Sequence, residues 1–184
     1  MSSILVALRQ ETKEIHADLH GNPVLKRCQE NKLDIDDYIQ MLLAFYQPWK
    51  ELIHSVEQVP ISNLQPLLLQ RHQLLYNDLI ALNVDKIMLA SEKTAVLSQD
   101  EVLGMCYVVI GSSMGAIQLS QNIKMSLGNQ PRSYLSMSPK EAGWPLLSSF
   151  LKSTDAKDFP KASITARKVF KSIYEHLSSV SSLR

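Results

Sequence analysis

The chain has 184 residues, of which 45% are hydrophobic and 20% are charged, as is usual for a globular domain with a sizeable core. Nineteen basic and eighteen acidic side chains leave a formal net charge of +1, which excludes a general electrostatic attraction to nucleic acid or to an anionic membrane surface. Two distant cysteines without metal-type spacing, and an N-terminal segment unlike a secretory signal, predict a cytoplasmic protein with free thiols.

Apolar residues recur at three- and four-residue steps along most of the chain, which predicts amphipathic helices and no sheet. Asp34 is the expected N-cap of a long helix that Pro48 kinks or divides, and Asp100 is the expected N-cap of an uncharged helix. We therefore predict an all-α fold, with one domain of seven or eight helices over residues 1–180 and a frayed tail at 181–184. In chain order, the predicted helices cover residues 3–20, 24–31, 34–57, 67–82, about 100–127 (after a loop around 91–98), 144–152 and 161–180.

The uncharged helix carries two glycines one helical turn apart. Its 22 residues from Val102 to Ile123 include no charged side chain, and Gly111 and Gly115 lie near the middle. Glycine inside a helix costs about 1 kcal/mol relative to alanine, so this spacing indicates that something approaches the backbone closely. A transmembrane dimer face has the same spacing, but the apolar run is shorter than the roughly 20 residues that a bilayer needs. A second helix packed onto the glycines and a flat ligand, such as a large ring, are the two remaining interpretations.

The first helix carries a histidine, His16, on its predicted apolar face. A lone histidine on such a face is most often a hydrogen-bonded core residue. The alternative is a neutral imidazole that ligates a heme iron, for which one histidine suffices because the porphyrin supplies four nitrogens. Gly111 and Gly115 would then let the opposite helix come close, and the hydroxyls of Ser112 and Ser113 would hold water. The residues predicted to share the apolar face are Ile4, Leu5, Leu8, Thr12, Ile15, His16 and Leu19.

Other candidate residues predict less. Glu51 and His54 have the Glu-x-x-His spacing of di-iron bundles, but the chain has no second copy of this motif, so we expect both on the surface. His72 and His176 stand beside charged neighbours and are expected on solvated faces. Cys106 has no adjacent cation to lower its pKa, so we expect a buried small side chain and not a nucleophile.

Four segments, in chain order, carry a resemblance to a known family. Leu8–His16 has the pattern L-[KR]-x-x-T-x-x-x-H, and Cys106–Gly115 contains a tyrosine followed four residues later by G-S-x-x-G. Both resemble motifs of the heme oxygenase family, in particular its bacterial biliverdin-producing branch, often found beside phytochromes. Arg71–Leu82 and Ala166–Leu177 are similar to two further helices of that family.

The resemblance implies a role for each matching position. His16 would be the proximal ligand of the heme iron, and Arg9 would contact a heme propionate. Gly111 and Gly115 would form the kinked distal backbone against the heme, on the same motif as Tyr107, which would also contact it. Ser112 stands where mammalian-type members have a catalytic aspartate, and serine is usual there in the bacterial branch.

Several positions depart from the family pattern. Ile110 replaces a glutamate, Ala116 replaces a second glycine, and Ile117 and Gln121 stand where arginines are common. His20 takes a position that is often acidic. These departures bear on heme affinity and on propionate anchoring more than on the fold.

The function implied is oxidative cleavage of heme to biliverdin, carbon monoxide and ferrous iron. Heme would be both substrate and cofactor, with O2 and an external electron donor, a ferredoxin or a reductase, as the other reactants. The resemblance implies neither a nucleic-acid partner nor a membrane. Two alternatives are open: a heme-binding or storage protein of the same fold with little oxygenase activity, and a non-heme di-iron or thiamin-degrading relative.

Overall fold

The computed structural model describes residues 3–90 and 96–181. Within these ranges, the segments with periodic apolar residues form helices. The chain is 78% helical, and the described residues form no strand, so the predicted all-α fold is confirmed. Eight of the described helices have seven or more residues, and two single-turn helices were not predicted. The helices are α1 Ile4–His20, α2 Pro23–Gln29, α3 Ile35–Leu52, α4 Gln65–Ala81, α5 Lys86–Leu89, α6 Gln99–Gly111, α7 Ser113–Leu127, α8 Ser133–Ser136, α9 Trp144–Ser153 and α10 Ala162–Ser181.

The caps and breaks of the helices agree with expectation only in part. Asp34 caps α3 as predicted, accepting a hydrogen bond from the backbone N–H of Asp37 at 2.8 Å. Pro48 lies inside α3, and the helix continues to Leu52 before tightening into a 3₁₀ turn over Ile53–Gln58. The chain is thus divided one turn after the proline and not at it. The predicted tail at 181–184 lies outside the described residues except for its first member, as does most of the predicted loop around 91–98.

The prediction that Asp100 caps the uncharged helix is wrong. Ser98 is the N-cap of α6, and it forms a capping box with Glu101, whose carboxylate accepts from the backbone N–H of Ser98 at 2.9 Å. Asp100 instead accepts from the backbone N–H of Lys161 at 3.1 Å. This bond ties the start of α6 to the start of α10, which explains why the carboxylate is drawn away from its own helix.

The centre of the fold is the packing of α10 against α6, with α1 and α3 also against α10. Gly104 makes the closest approach possible, because a Cβ there would lie 2.3 Å from the carbonyl oxygen of Ala162. Only glycine fits at that position. The helix-packing glycine of the uncharged segment is therefore Gly104, on the opposite side of α6 from solvent.

Helices α6 and α7 run on as one apolar stretch over Gln99–Leu127, interrupted at Ser112. By length and mean hydropathy (1.6) this stretch is the one segment among the described residues that could cross a membrane, so the expectation that its apolar run is too short for a bilayer is wrong. Within it, 56% of the most apolar window is buried inside the fold. The core helix of a globular protein passes the same test, and α6 has that position here, enclosed by α10, α3 and α9.

Candidate functional site

His16 lies on the edge of the buried face of α1, not within it. The residues buried on α1 include Leu8, Thr12 and Leu19, whereas His16 is exposed. At about 100° per residue, His16 points about 60° away from the centre of that buried stripe. The prediction that it shares the apolar face is thus wrong. This position around the helix leaves the imidazole exposed at the side of α1.

The imidazole of His16 is held between two rings. His20, one turn on, lies edge-on with ring centroids 4.7 Å apart, and Phe170 of α10 lies edge-on at 5.3 Å. Partial burial, and then the neighbouring His20, lower the pKa of His16 below its usual 6.5. The ring is therefore neutral at pH 7, and no described residue forms a hydrogen bond with it, so a nitrogen lone pair is available to a metal.

Arg9 shares the exposed side of α1 with His16. The two residues are seven apart, or about two turns, and the side chain of Arg9 is exposed. Its guanidinium forms no ion pair with a carboxylate among the residues that the structure describes. A basic group thus stands along the same helix edge as the histidine, about 10 Å away by helical rise.

Gly111 and Gly115 are not used for packing helices together. A Cβ at Gly111 would meet only the ring of Trp144, at an ordinary 3.6 Å, and a Cβ at Gly115 would meet nothing within 4 Å of the described structure. The interpretation that a second helix is packed onto these glycines is excluded for Gly115. The side chains beside it, Met114 and Ile117, are 61% and 40% exposed. The start of α7 therefore presents bare backbone flanked by uncovered apolar side chains.

The aromatic ring beside Gly111 belongs to Trp144, the first residue of α9. Its centroid lies 6.3 Å from the ring of Tyr107, one turn before Gly111 on α6. Trp144 is half-buried, and so is Tyr107. Sequence reasoning expected a contact role for Tyr107 and overlooked Trp144, which no local motif marks.

The His16 edge and the Gly115 patch lie on helices that have packing partners in common. Helix α2 packs against both α1 and α7, while α9 and α10 each pack against α1 and α6. Phe170 of α10 touches His16 directly, and Trp144 of α9 lies against Gly111. Contacts through these neighbours thus link the helix of His16 to the segment that carries Gly111 and Gly115.

The break between α6 and α7 is built around the buried Arg71 of α4. Its Nε donates to the carbonyl oxygen of Val109 at 3.0 Å, and its Nη2 donates to Oγ of Ser112 at 3.1 Å. In an uninterrupted helix the Val109 carbonyl accepts the N–H of residue 113, and a side chain inserted at such a carbonyl is a known cause of a bend. Sequence reasoning did not identify Arg71 as part of the site.

The two serines at the bend have different surroundings. Ser113 is fully buried, and its hydroxyl donates to the carbonyl of Ile110 at 2.6 Å, so it faces the core. Ser112 is half-buried; it accepts from Arg71 and donates its own proton to the carbonyl of Val109 at 2.9 Å. A hydroxyl has one proton and two lone pairs. One lone pair on Ser112 is left, so towards the site this hydroxyl can accept a hydrogen bond but not donate one.

The other candidates differ in outcome. Glu51 and His54 are exposed, as expected, and the described residues contain no group of three or more metal-ligating side chains. Cys106 is buried, as expected, and this burial raises the pKa of its thiol to about 12, which disfavours the reactive thiolate. The prediction of solvated faces for His72 and His176 is wrong, because both are half-buried and burial lowers their pKa values.

Solved structures that match the fold over nearly the whole of both chains include two heme oxygenases. Heme oxygenase-1 from the cyanobacterium Synechocystis sp., solved in complex with heme, superposes with a TM-score of 0.72 at 14% identity, over 97% of this chain and 92% of the other. Heme oxygenase from Leptospira interrogans superposes with a TM-score of 0.71 at 18% identity, over 96% and 99%. No family model and no curated protein matches the sequence. At these identities the likeness shows the all-α fold of heme oxygenases.

Proposed function

We propose that this protein is a heme oxygenase that binds heme between α1 and the start of α7 and cleaves it to biliverdin, carbon monoxide and ferrous iron. The observation that carries the proposal is the open patch at Gly115. Gly111 and Gly115 stand in an apolar helical segment at a propensity cost, yet packing does not require glycine at either position, since a Cβ would meet Trp144 at an ordinary 3.6 Å or nothing within 4 Å. Gly104, in contrast, is required for packing. The matching folds belong to heme oxygenases, one of them with heme bound.

The residues present fit a heme. A neutral imidazole at His16 offers a nitrogen to iron, and the start of α7 offers bare backbone at Gly115 and apolar side chains at Met114 and Ile117 for a flat ring. Arg9, on the same edge of α1 as His16, would bind a propionate. Trp144 and Tyr107 would bound the ring near Gly111.

When bound, the heme supplies an iron that activates O2 with electrons from an external donor, a ferredoxin or a reductase. The protein would hold the heme in place and determine what surrounds it. Because His16 is neutral, it can ligate the iron without first losing a proton. Gly111 and Gly115 would hold the heme on their side without a side chain in the way, which would leave room for a small gas molecule. The remaining lone pair of Ser112 can accept a hydrogen bond from a water at the bend, so water and not this hydroxyl would supply the protons for the reaction.

A second function, heme binding without oxygenase activity, is favoured by the state of Ser112. Its proton is committed to the Val109 carbonyl, and Ile117 and Gln121 carry no charge to fix a propionate. The buried free thiols Cys28 and Cys106 suit a reducing compartment, so we place either activity in the cytoplasm.

Adding hemin, a reductant and O2 to the purified protein tests both functions. Loss of the Soret band with growth of a broad red absorption is the result expected for the oxygenase, and a stable Soret band would leave only the binding protein. A protein that develops no Soret band with hemin would contradict both.

Replacing His16 tests the ligand. His16→Ala is expected to remove the five-coordinate ferrous spectrum, and added imidazole is expected to restore it. His20→Ala is the matched control, since it removes the neighbouring ring and leaves His16 in place. If His16→Ala left the heme spectra unchanged while His20→Ala altered them, the ligand would be His20.

A further inference from the structure

We propose that Arg71 is a positioning residue of this site, which holds the bend between α6 and α7 and thereby the bare backbone that faces the ligand. The inference rests on the proposed function, since it assigns Arg71 to the same site. Arg71 is on α4, which contributes no other residue to that site.

The first argument is the burial of a charge with no carboxylate to balance it. Arg71 has no exposed surface, and no carboxylate oxygen among the described residues lies within ion-pair distance of its guanidinium. The cation instead lies 4.1 Å from the ring centroid of Tyr134, whose backbone N–H donates to the carboxylate of Asp78 at 2.8 Å. An unpaired buried charge is costly, so its retention needs a reason other than packing.

The second argument is where its hydrogen bonds go. Both bonds end at the bend, at the carbonyl of Val109 and at the hydroxyl of Ser112. Nη1 is buried and bonds to no residue that the structure describes. The hydrogen bonds that this guanidinium forms with described residues are thus both directed at the bend.

The bend is the one-residue interruption at Ser112 that separates α6 from α7. Four residues after Val109, Ser113 begins a new helix, and Gly115 lies in its first turn with open space around it. Just before the bend, Gly111 lies against Trp144. The guanidinium therefore governs two things at once: how Trp144 sits on Gly111, and where the backbone of Gly115 faces.

The experiment compares Arg71→Met with Arg71→Lys, Ser112→Ala and Arg27→Met. Methionine fills similar volume without donors, and lysine keeps the charge but has one nitrogen for two acceptors. Arg27→Met is the matched control, because it breaks a partly buried ion pair with Asp37, formed by Nη2 and Oδ1 at 2.8 Å, between α2 and α3. Urea unfolding of each variant shows that it folds.

The first readout needs no heme. The chain has two tryptophans, and a Trp49→Phe background leaves Trp144 as the only fluorophore of that type. We expect Arg71→Met to change the acrylamide quenching of Trp144 at least two-fold, with Arg71→Lys and Ser112→Ala between it and the parent. Arg27→Met should leave the quenching unchanged.

The second readout is hemin binding, followed by the Soret band. We expect Arg71→Met to weaken hemin affinity at least ten-fold. We also expect it to shift, by at least half a pH unit, the pH at which the absorption spectrum of the ferric heme complex is half changed. Arg27→Met should alter neither quantity. Unchanged hemin affinity and midpoint in Arg71→Met would overturn the assignment, even if Trp144 quenching changed. If Arg71→Met does not fold, Ser112→Ala and Arg71→Lys decide by the same two measurements. If the parent protein binds no hemin, the proposed function fails, and Trp144 quenching alone still decides whether Arg71 holds the bend.

Discussion

Replacing Gly115 with alanine separates the stability of the apoprotein from its capacity to bind a ligand. A Cβ at this position would meet nothing within 4 Å, and the backbone of Gly115 is not in the left-handed region. Alanine therefore adds no clash and removes the entropic cost of glycine. At the first turn of a helix, we expect Gly115→Ala to stabilise the apoprotein by about 0.5–1 kcal/mol.

For a chain of this size that stabilisation corresponds to a rise in Tm of about 1–4 °C. The added methyl would occupy the surface against which we place the porphyrin, so hemin affinity is expected to fall at least ten-fold, or about 1.4 kcal/mol. Thermal and urea unfolding of the apoprotein, together with hemin titration at the Soret band, measure the two effects. A variant that gains stability and binds hemin as well as the parent would refute the reasoning that places the ligand on Gly115.

Three further predictions concern residues already described. Gly104→Ala should destabilise the fold by about 1–3 kcal/mol or more in urea unfolding, because its Cβ would lie 2.3 Å from the carbonyl oxygen of Ala162; normal stability would show that α6 and α10 can move apart freely. Hemin affinity should be constant from pH 8 down to neutrality and fall only at acid pH, since the pKa of His16 is lowered below 6.5 and only the neutral ring ligates iron. A midpoint above 6.5 would contradict this. Burial raises the thiol pKa of Cys28 to about 11 and that of Cys106 to about 12, so a disulfide reagent at pH 8 should modify them only after unfolding, and rapid modification of the native protein would show that the core opens.

The helices could be predicted because burial on one face imposes a period on the sequence. That argument needs at least two turns, which is why the four-residue helices α5 and α8 were missed. It also places a residue on a face only to within a fraction of a turn. The prediction for His16 was wrong by such a fraction of a turn, because the residue lies at the edge of the buried stripe of α1 and not inside it.

The candidate site could be predicted in part. Gly111 and Gly115 stood out by their spacing, but the same argument applied equally to Gly104, and only the position of Ala162 on a helix 58 residues away separates the packing glycine from the open ones. Sequence neighbours do not reveal such contacts. His72 illustrates this too, because it stands beside a charged residue in sequence yet packs against Tyr46 and Trp49 in the fold.

The spacing of residues along α4 indicates that Arg71 is buried. Leu68, Arg71, Leu75, Asp78 and Leu79 follow one another at three-, four- and one-residue steps, and all are buried. Two charged residues on an otherwise apolar helix stripe predict buried groups with specific partners. Which partners they have depends on α6 and α8, and the period of α4 carries no information about those helices.

The order in which the helices are synthesised has a consequence for how the chain reaches its native state. The most apolar segment, Gln99–Leu127, leaves the ribosome well before Ala162–Ser181, the last helix and the principal cover of Gln99–Gly111. Until the C-terminal residues emerge, this apolar segment, which is long enough to span a membrane, stays uncovered. Chaperones can then bind it, and it can aggregate or insert wrongly into a membrane. We expect nascent chains stalled before residue 162 to be captured by holdases, and chains released at full length to escape them.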